Sequence, residues 1–292
     1  MPPSHTQADA QAYCTALTKR SGSNFYYSFF FLPQARRDAM YTVYAFCREV
    51  DNAVDDAPAG SDPKTAIAHW RDQLAAAYRG TPTHPVAISL AHHARALGIP
   101  KEHFDELITG MEMDLTTLRY ATFEELSQYC YRAASVVGLI CLHVFGTSSP
   151  LARDYAINLG MAFQLTNILR DLGTDADRGR IYLPQDELAR FGYREDEMLA
   201  RTYSPAFRTL MQFQTERAQN YYDKASQAIR QMPKSDRLAL TPAEIMRGVY
   251  GRILDRIVNN DYRVFGTRIT VSPAHRLALA AGIWLRSRLG SV

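Results

Sequence analysis

The sequence predicts an all-α protein built as a single helical bundle. Three observations carry this. Alternating β-branched runs bounded by turns are nearly absent, the best being RITVS at 268–272. Helical periodicity dominates the remainder, and Pro- and Gly-rich punctuation separates the periodic segments.

In chain order, helices are predicted over roughly 6–20, 34–55, 63–78, 84–97, 101–117, 123–146, 150–176, 185–190, 204–231, 241–265 and 273–289. The breaks between them fall at Pro58–Gly60, Gly80–Pro82, Gly98–Pro100, Ser148–Pro150, Gly179 with Pro184, Ser204–Pro205, Pro233 and Ser272–Pro273. SSPLARD at 148–154 and TPAEI at 241–245 read as helix starts, each with a polar cap and Pro in the first turn. The segment 151–172 is apolar on most sides, through Leu151, Tyr155, Ile157, Leu159, Met161, Phe163, Leu165, Ile168, Leu169 and Leu172. Such a helix belongs in the centre of a large bundle. The last segment, HRLALAAGIWLRSRL, is bracketed by Arg276, Arg286 and Arg288. It reads as a helix docked on the core, with a membrane surface as the alternative. Nothing repeats and no linker divides the chain, so residues 1–292 read as one all-α domain. With 47% hydrophobic residues, that length suffices for one large core.

Composition narrows the function. A net charge of +3 is too mild to argue for nucleic acid, although 28 of the 33 basic residues are Arg, suited to bidentate anion contacts. The N-terminus MPPSHTQADA lacks a signal-peptide pattern, and no run of 18 apolar residues occurs. Cys14, Cys47, Cys130 and Cys141 form no C-x-x-C pair and read as reduced thiols of a cytoplasmic protein. There is no H-E-x-x-H, no phosphate loop of the G-x-x-x-x-G-K-[ST] kind and no G-x-G-x-x-G.

The chemistry-bearing feature is a pair of carboxylate stripes. NILRDLGTD at 167–175 sets Asn167, Asp171 and Asp175 at intervals of four, and YAFCREVDNAVDD at 44–56 sets Asp51 and Asp55 likewise. About one residue in ten is acidic, so such spacing also arises by chance, as at Glu102 and Glu106. Here, however, both pairs sit among core-type residues, where unpaired carboxylates cost several kcal/mol unless cations neutralise them. Carboxylates and an Asn carbonyl suit Mg²⁺, which is normally completed by substrate phosphates. Two such helices facing each other would hold Mg²⁺ between them and turn a bound diphosphate into a leaving group. The aromatic stretch NFYYSFFFLP at 24–33 and 17 Tyr suit a cavity whose π faces stabilise a carbocation.

DNAVDD (51–56), NILRDLGTDADRGRIYLP (167–184) and YAFCREV (44–50) resemble the squalene and phytoene synthase family of head-to-head prenyl transferases, over about residues 10 to 270. The resemblance implies the isoprenoid (terpenoid) synthase fold, a single helical bundle with a central cavity, and Mg²⁺, or Mn²⁺ in its place. It implies Asp51 and Asp55 as the first aspartate motif and Asn167, Asp171 and Asp175 as the second, the four aspartates being the catalytic set. Gln164 lies one turn earlier. Arg48, Arg170, Tyr41, Tyr182 and Tyr250 match positions that contact or orient diphosphates, as do Ser21 and Ser23 near the N-terminus and Arg268 near the C-terminus. One departure is Asn52, where many members carry Asp; Asp56 points to another face. SGSNFYYSFFFLP, GMEMDL and YCYRAASVVGL are most similar to bacterial presqualene diphosphate synthases of squalene and hopanoid biosynthesis. The expectation is therefore condensation of two farnesyl diphosphates to presqualene diphosphate, without NADPH and without nucleic acid, with the insoluble product implying peripheral contact with the inner face of a membrane. The alternatives are dehydrosqualene, squalene or phytoene synthesis. A non-catalytic helical lipid-binding or assembly protein is a more distant one. The sequence gives no reading of oligomeric state.

Overall fold

A computed structural model describes residues 5–22, 24–55, 62–266 and 269–289. Among these, the helices are α1 (Gln7–Arg20), α2 (Asn24–Phe29), α3 (Gln34–Asp55), α4 (Pro63–Arg79), α5 (Pro85–Leu97), α6 (Lys101–Met113), α7 (Phe123–Cys130), α8 (Val136–Phe145), α9 (Leu151–Asp177), α10 (Gln185–Arg190), α11 (Glu195–Leu199), α12 (Pro205–Arg230), α13 (Lys234–Ala239), α14 (Thr241–Asn259) and α15 (Pro273–Leu289). No strand occurs among the described residues; Arg119 and Ile181 form one isolated bridge. The RITVS stretch is irregular from 269 onward, with Ile269 and Val271 buried.

Local chemistry accounts for many boundaries. The Thr6 and Asp9 side chains cap α1 reciprocally, and Asp62 caps α4 with Pro63 in the first turn. Helix α6 stops at Met113 rather than near 117, because the chain tightens into turns there: Leu115 N–H reaches Glu112 O and Thr116 N–H reaches Met113 O. Helix α14 stops at Asn259 rather than near 265. Asp261 and Tyr262 adopt left-handed backbone angles (φ 52° and 60°), and Tyr262 N–H closes onto Ile257 O.

The helix predicted over 123–146 is interrupted. Residues Tyr131–Ser135 form a π-helical stretch between α7 and α8. Two glycines let neighbouring helices press against it. A Cβ on Gly110 of α6 would lie 2.8 Å from Arg132 Cβ, and one on Gly160 of α9 only 2.5 Å from Ser135 Cα. The wide turn is thus seated between two backbones, an arrangement often found beside functional sites.

As expected, α9 lies at the centre, with buried residues on every side from Ala152 to Ala176. It packs on α12, α8, the π-helical stretch and α14. Helix α15 docks on α14 and α2, with Phe31, just past the end of α2, stacked on Trp284 (5.4 Å), and leaves Leu277, Leu285 and Leu289 exposed. No helix among the described residues is long and apolar enough to cross a membrane.

Candidate active site

Helices α3, α8, α9 and α14 enclose a cavity of about 1100 Å³. One stripe of α9 lines it from end to end: Ala156, Leu159, Gly160, Phe163, Gln164, Asn167, Asp171, Thr174 and Asp175. Helical spacing puts these side chains on one face, so the wall changes from apolar to polar along the helix. Helix α3 repeats the gradient through Met40, Val43, Tyr44, Cys47, Arg48, Asp51 and Asp55. The interior is further walled by Val137, Cys141, Leu142, Phe145 and Met246.

The charged mouth forms where the C-terminal ends of α3 and α9 meet. Arg178 and Arg180, just beyond α9, both donate to Asp55 at the end of α3, Arg180 at 2.9 Å. A helix C-terminus already carries partial negative charge, so carboxylates gathered there favour a positive partner. Arginines fill that role throughout. Arg48 donates to Asp51 (2.6 Å) and to Asn52 (2.9 Å), and Arg170, itself 11% exposed, grips Asp171 through Nε (2.8 Å) and Nη2.

Asp175 has no such bidentate clamp. Burial and the neighbouring Asp171 push its carboxyl up to about 7, against Arg180. Nearby, Asn167 donates to Gln164 Oε1 (3.4 Å), while its own Oδ1 is buried with no hydrogen-bond partner. Gln164 donates to the Tyr129 hydroxyl at 3.5 Å. Tyr250 is buried against Phe163 (rings 4.5 Å apart), with Arg170 and Asn167 facing its hydroxyl. Tyr182 donates to Asp114 Oδ1 (2.8 Å), and Tyr129, stacked on Tyr182 at 5.1 Å, donates to Oδ2 (3.0 Å). Burial pushes the Asp114 carboxyl up to about 6, opposed by Arg180 and the two hydroxyls.

Asp51, Asp55, Asn167, Asp171, Asp175, Ser21, Arg48, Gln164, Arg170, Tyr182 and Tyr250 therefore all lie on this one cavity. Tyr41 does not. It is a core residue, 4% exposed, ranged against Tyr26 and Phe29, and Tyr44 lines the cavity in its place. The reason is helical phase: Tyr44 is seven residues before Asp51 and shares its face, whereas Tyr41, ten residues before, is turned about 80° away. Ser23 and Arg268 lie outside the described residues. The sequence reading missed Asp114, Tyr129, Arg178 and Arg180 as site residues. The two arginines stand inside the DADRGRIYLP stretch and Asp114 inside GMEMDL, but nothing in their spacing shows what they face.

The donor set suits a hard divalent cation. It consists of oxygens only, it includes an orphaned buried amide oxygen on Asn167, and Asp171 and Asp175 repel one another across the same surface. With arginines paired to the aspartates, no three of the described His, Cys, Asp or Glu residues stand together as a ready ion cage. Asp51, Asp55, Asn167, Asp171 and Asp175 are the groups that could hold Mg²⁺. The four arginines could then face a polyphosphate in bidentate fashion.

The sequence profile of the squalene/phytoene synthase family matches residues 18–275. A phytoene synthase of Arthrospira platensis is 36% identical, over 97% of this chain and 95% of its own. The 15-cis-phytoene synthase of Synechocystis sp. is 34% identical, over 96% of this chain and 86% of its own. Among solved structures, a dehydrosqualene synthase in complex with ligand superposes with a TM-score of 0.84 at 28% identity, covering 98% of both chains. The squalene synthase HpnC from Alicyclobacillus acidocaldarius gives 0.80 at 29% identity, covering 89% of this chain and 97% of the other. The architecture is the all-helical isoprenoid synthase fold.

Proposed function

The chain belongs to the squalene/phytoene synthase family, and on that footing we propose that it joins two prenyl diphosphates head to head. One observation carries the proposal: a single cavity with a charged mouth of aspartates and arginines and a long apolar interior. Its volume of about 1100 Å³ is at the upper edge of pockets that take one drug-sized ligand, roughly 300–1,000 Å³, which suits two prenyl chains.

Each part of the wall has a task in this reaction. Arg48, Arg170, Arg178 and Arg180 bind the diphosphates and hold the two allylic carbons near each other. Mg²⁺ held by Asp51, Asp55, Asn167, Asp171 and Asp175 would supply neutralisation of the charge on the departing diphosphate. The faces of Phe163, Tyr129 and Tyr182 stabilise an allylic cation, and the apolar wall keeps out water that would quench it. Tyr182 and Tyr129, pinned on Asp114, keep those rings in place.

The product is the finer question. The names of the curated relatives favour phytoene, from two geranylgeranyl diphosphates, over the presqualene diphosphate expected from the sequence motifs. The presqualene reading, from two farnesyl diphosphates, keeps support from the structural likeness to squalene and dehydrosqualene synthases. Incubating the protein and Mg²⁺ with either diphosphate, with and without NADPH, and identifying the lipid by mass spectrometry separates the two. Phytoene from the longer chain supports the first, and presqualene diphosphate from the shorter supports the second. No diphosphate release with either substrate refutes both.

A further inference from the structure

Behind the apolar end of the cavity stands a group of polar side chains, reached from it only through Tyr155, with no part in the chemistry at the mouth. Tyr155 lines the cavity, is 1% exposed, and donates its hydroxyl to Glu244 Oε1 at 2.8 Å. Glu244, also buried, is gripped by Arg247 through Nε (2.9 and 3.0 Å) and Nη2 (2.7 Å), and Arg247 donates onward to Ser226. A buried pair of this kind adds little net stability compared with well-packed apolar residues. Its effect here is to fix one ring in one orientation.

That ring stands where the cavity ends. Tyr155 precedes every other cavity-lining residue of α9, at the end opposite Asp171 and Asp175. Helix α8 closes in beside it, since a Cβ on Gly138 would come within 2.9 Å of Ala156 O. Leu142, Phe145, Leu240 and Pro242 complete the end wall.

We propose that Tyr155, held by Glu244 and Arg247, is the floor of the prenyl-chain channel and sets the longest chain the enzyme accepts. The proposal rests on the reading of this cavity as a prenyl diphosphate site. Helix α9 supplies the ruler. From Asp171 back to Tyr155 is about 24 Å along the axis, and to Leu159 about 18 Å, at 1.5 Å per residue. With C–C bonds of about 1.5 Å, an extended isoprene unit advances about 5 Å, so C15, C20 and C25 tails reach about 15, 20 and 25 Å. A diphosphate anchored near Asp171 thus brings a C15 tail short of Leu159, a C20 tail between Leu159 and the floor, and a C25 tail into the Tyr155 ring.

The test uses the full-length protein with Mg²⁺ and the C15, C20 and C25 all-trans prenyl diphosphates. It reads ligand-induced rises in melting temperature and, by mass spectrometry under competition, relative kcat/KM. The parent is expected to take C15 and C20 and to exclude C25. Tyr155→Ala is expected to admit C25, raising its preference relative to C20 at least about tenfold, and Tyr155→Phe, which keeps the ring but loses the hydrogen bond to Glu244, is expected to fall between the two. Leu159→Phe, one turn nearer the mouth, is expected to lose C20 while keeping C15. A folded Tyr155→Ala with the parent's ladder overturns the proposal, as does a parent that takes C25 as well as C20. Should Tyr155→Ala fail to fold, an unchanged ladder in Leu159→Phe overturns it instead. A parent stabilised by none of the three diphosphates would sink the substrate reading itself, a result distinct from a misplaced floor.

Discussion

Asp114 carries a cost that a single isosteric change should remove. Its carboxyl is 8% exposed, accepts hydrogen bonds from Tyr182 and Tyr129, and is raised from the ordinary 3.8 to about 6, chiefly by burial. A raised acid is penalised in its charged form. The fold therefore bears the full cost well above pH 6, and almost none of it below about pH 3, where folded and unfolded chains are both protonated. The rise from 3.8 to about 6 corresponds to about 3 kcal/mol, of which about 2 kcal/mol develops between pH 4.5 and pH 8. Asp114→Asn does not titrate. Relative to the parent, it should gain about 2 kcal/mol of stability over that interval, roughly 3 °C in melting temperature for a chain of this size. Differential scanning calorimetry of both proteins in a metal chelator at the two pH values measures this. Comparing the gap at two pH values cancels any packing difference between Asn and Asp. A gap that does not widen from pH 4.5 to pH 8 would refute a carboxylate held at a cost in this network.

Three further outcomes follow from the geometry. Asp171→Asn should lower turnover by about 10²-fold or more while the protein stays folded, and parental steady-state rates would remove Asp171 from the diphosphate chemistry. Gly160→Ala places a methyl 2.5 Å from Ser135 Cα, so backbone must shift; urea denaturation should show a loss of at least about 1–3 kcal/mol, and an unchanged midpoint would contradict the close seating of the π-helical stretch. Glu187→Gln removes the charge that Arg217 and Gln214 share near Phe123, leaving Arg217 (16% exposed) uncompensated. A loss of about 3 kcal/mol, roughly 5 °C by thermal melt, is expected, and a shift under 2 °C would show the pair to be dispensable.

The long helices were legible because each carries many turns of consistent apolar spacing. Helices α2, α11 and α13, of five or six residues, carry too few turns for a period to stand out, and tertiary packing holds them. The π-helical stretch was invisible for a different reason. The close approach that seats it runs through Gly110 and Gly160, distant in sequence and recognisable only once α6 and α9 are packed. In the site, the aspartates were readable because each set repeats on one face of one helix. Arg178 and Arg180 were not, since they follow the end of α9 and meet Asp55 only through the fold. Tyr41 shows the limit of motif matching. A shift of three residues keeps the residue type and loses the face.

One property of α9 bears on how such a cavity can change over evolutionary time. Its pitch, about 5.4 Å, nearly equals the advance of one isoprene unit, about 5 Å. Side chains one turn apart on the same stripe, such as Tyr155, Leu159 and Phe163, therefore stand about one unit apart along a bound tail. On the proposed reading of the cavity, adaptation on this wall is quantised: a bulky residue gained or lost at one of these rungs would alter the accepted tail by about five carbons. A single-residue insertion has no such graded effect, because it would swing Asn167, Asp171 and Asp175 by about 100° relative to the rungs. Length can drift by substitution while the register of the helix stays locked.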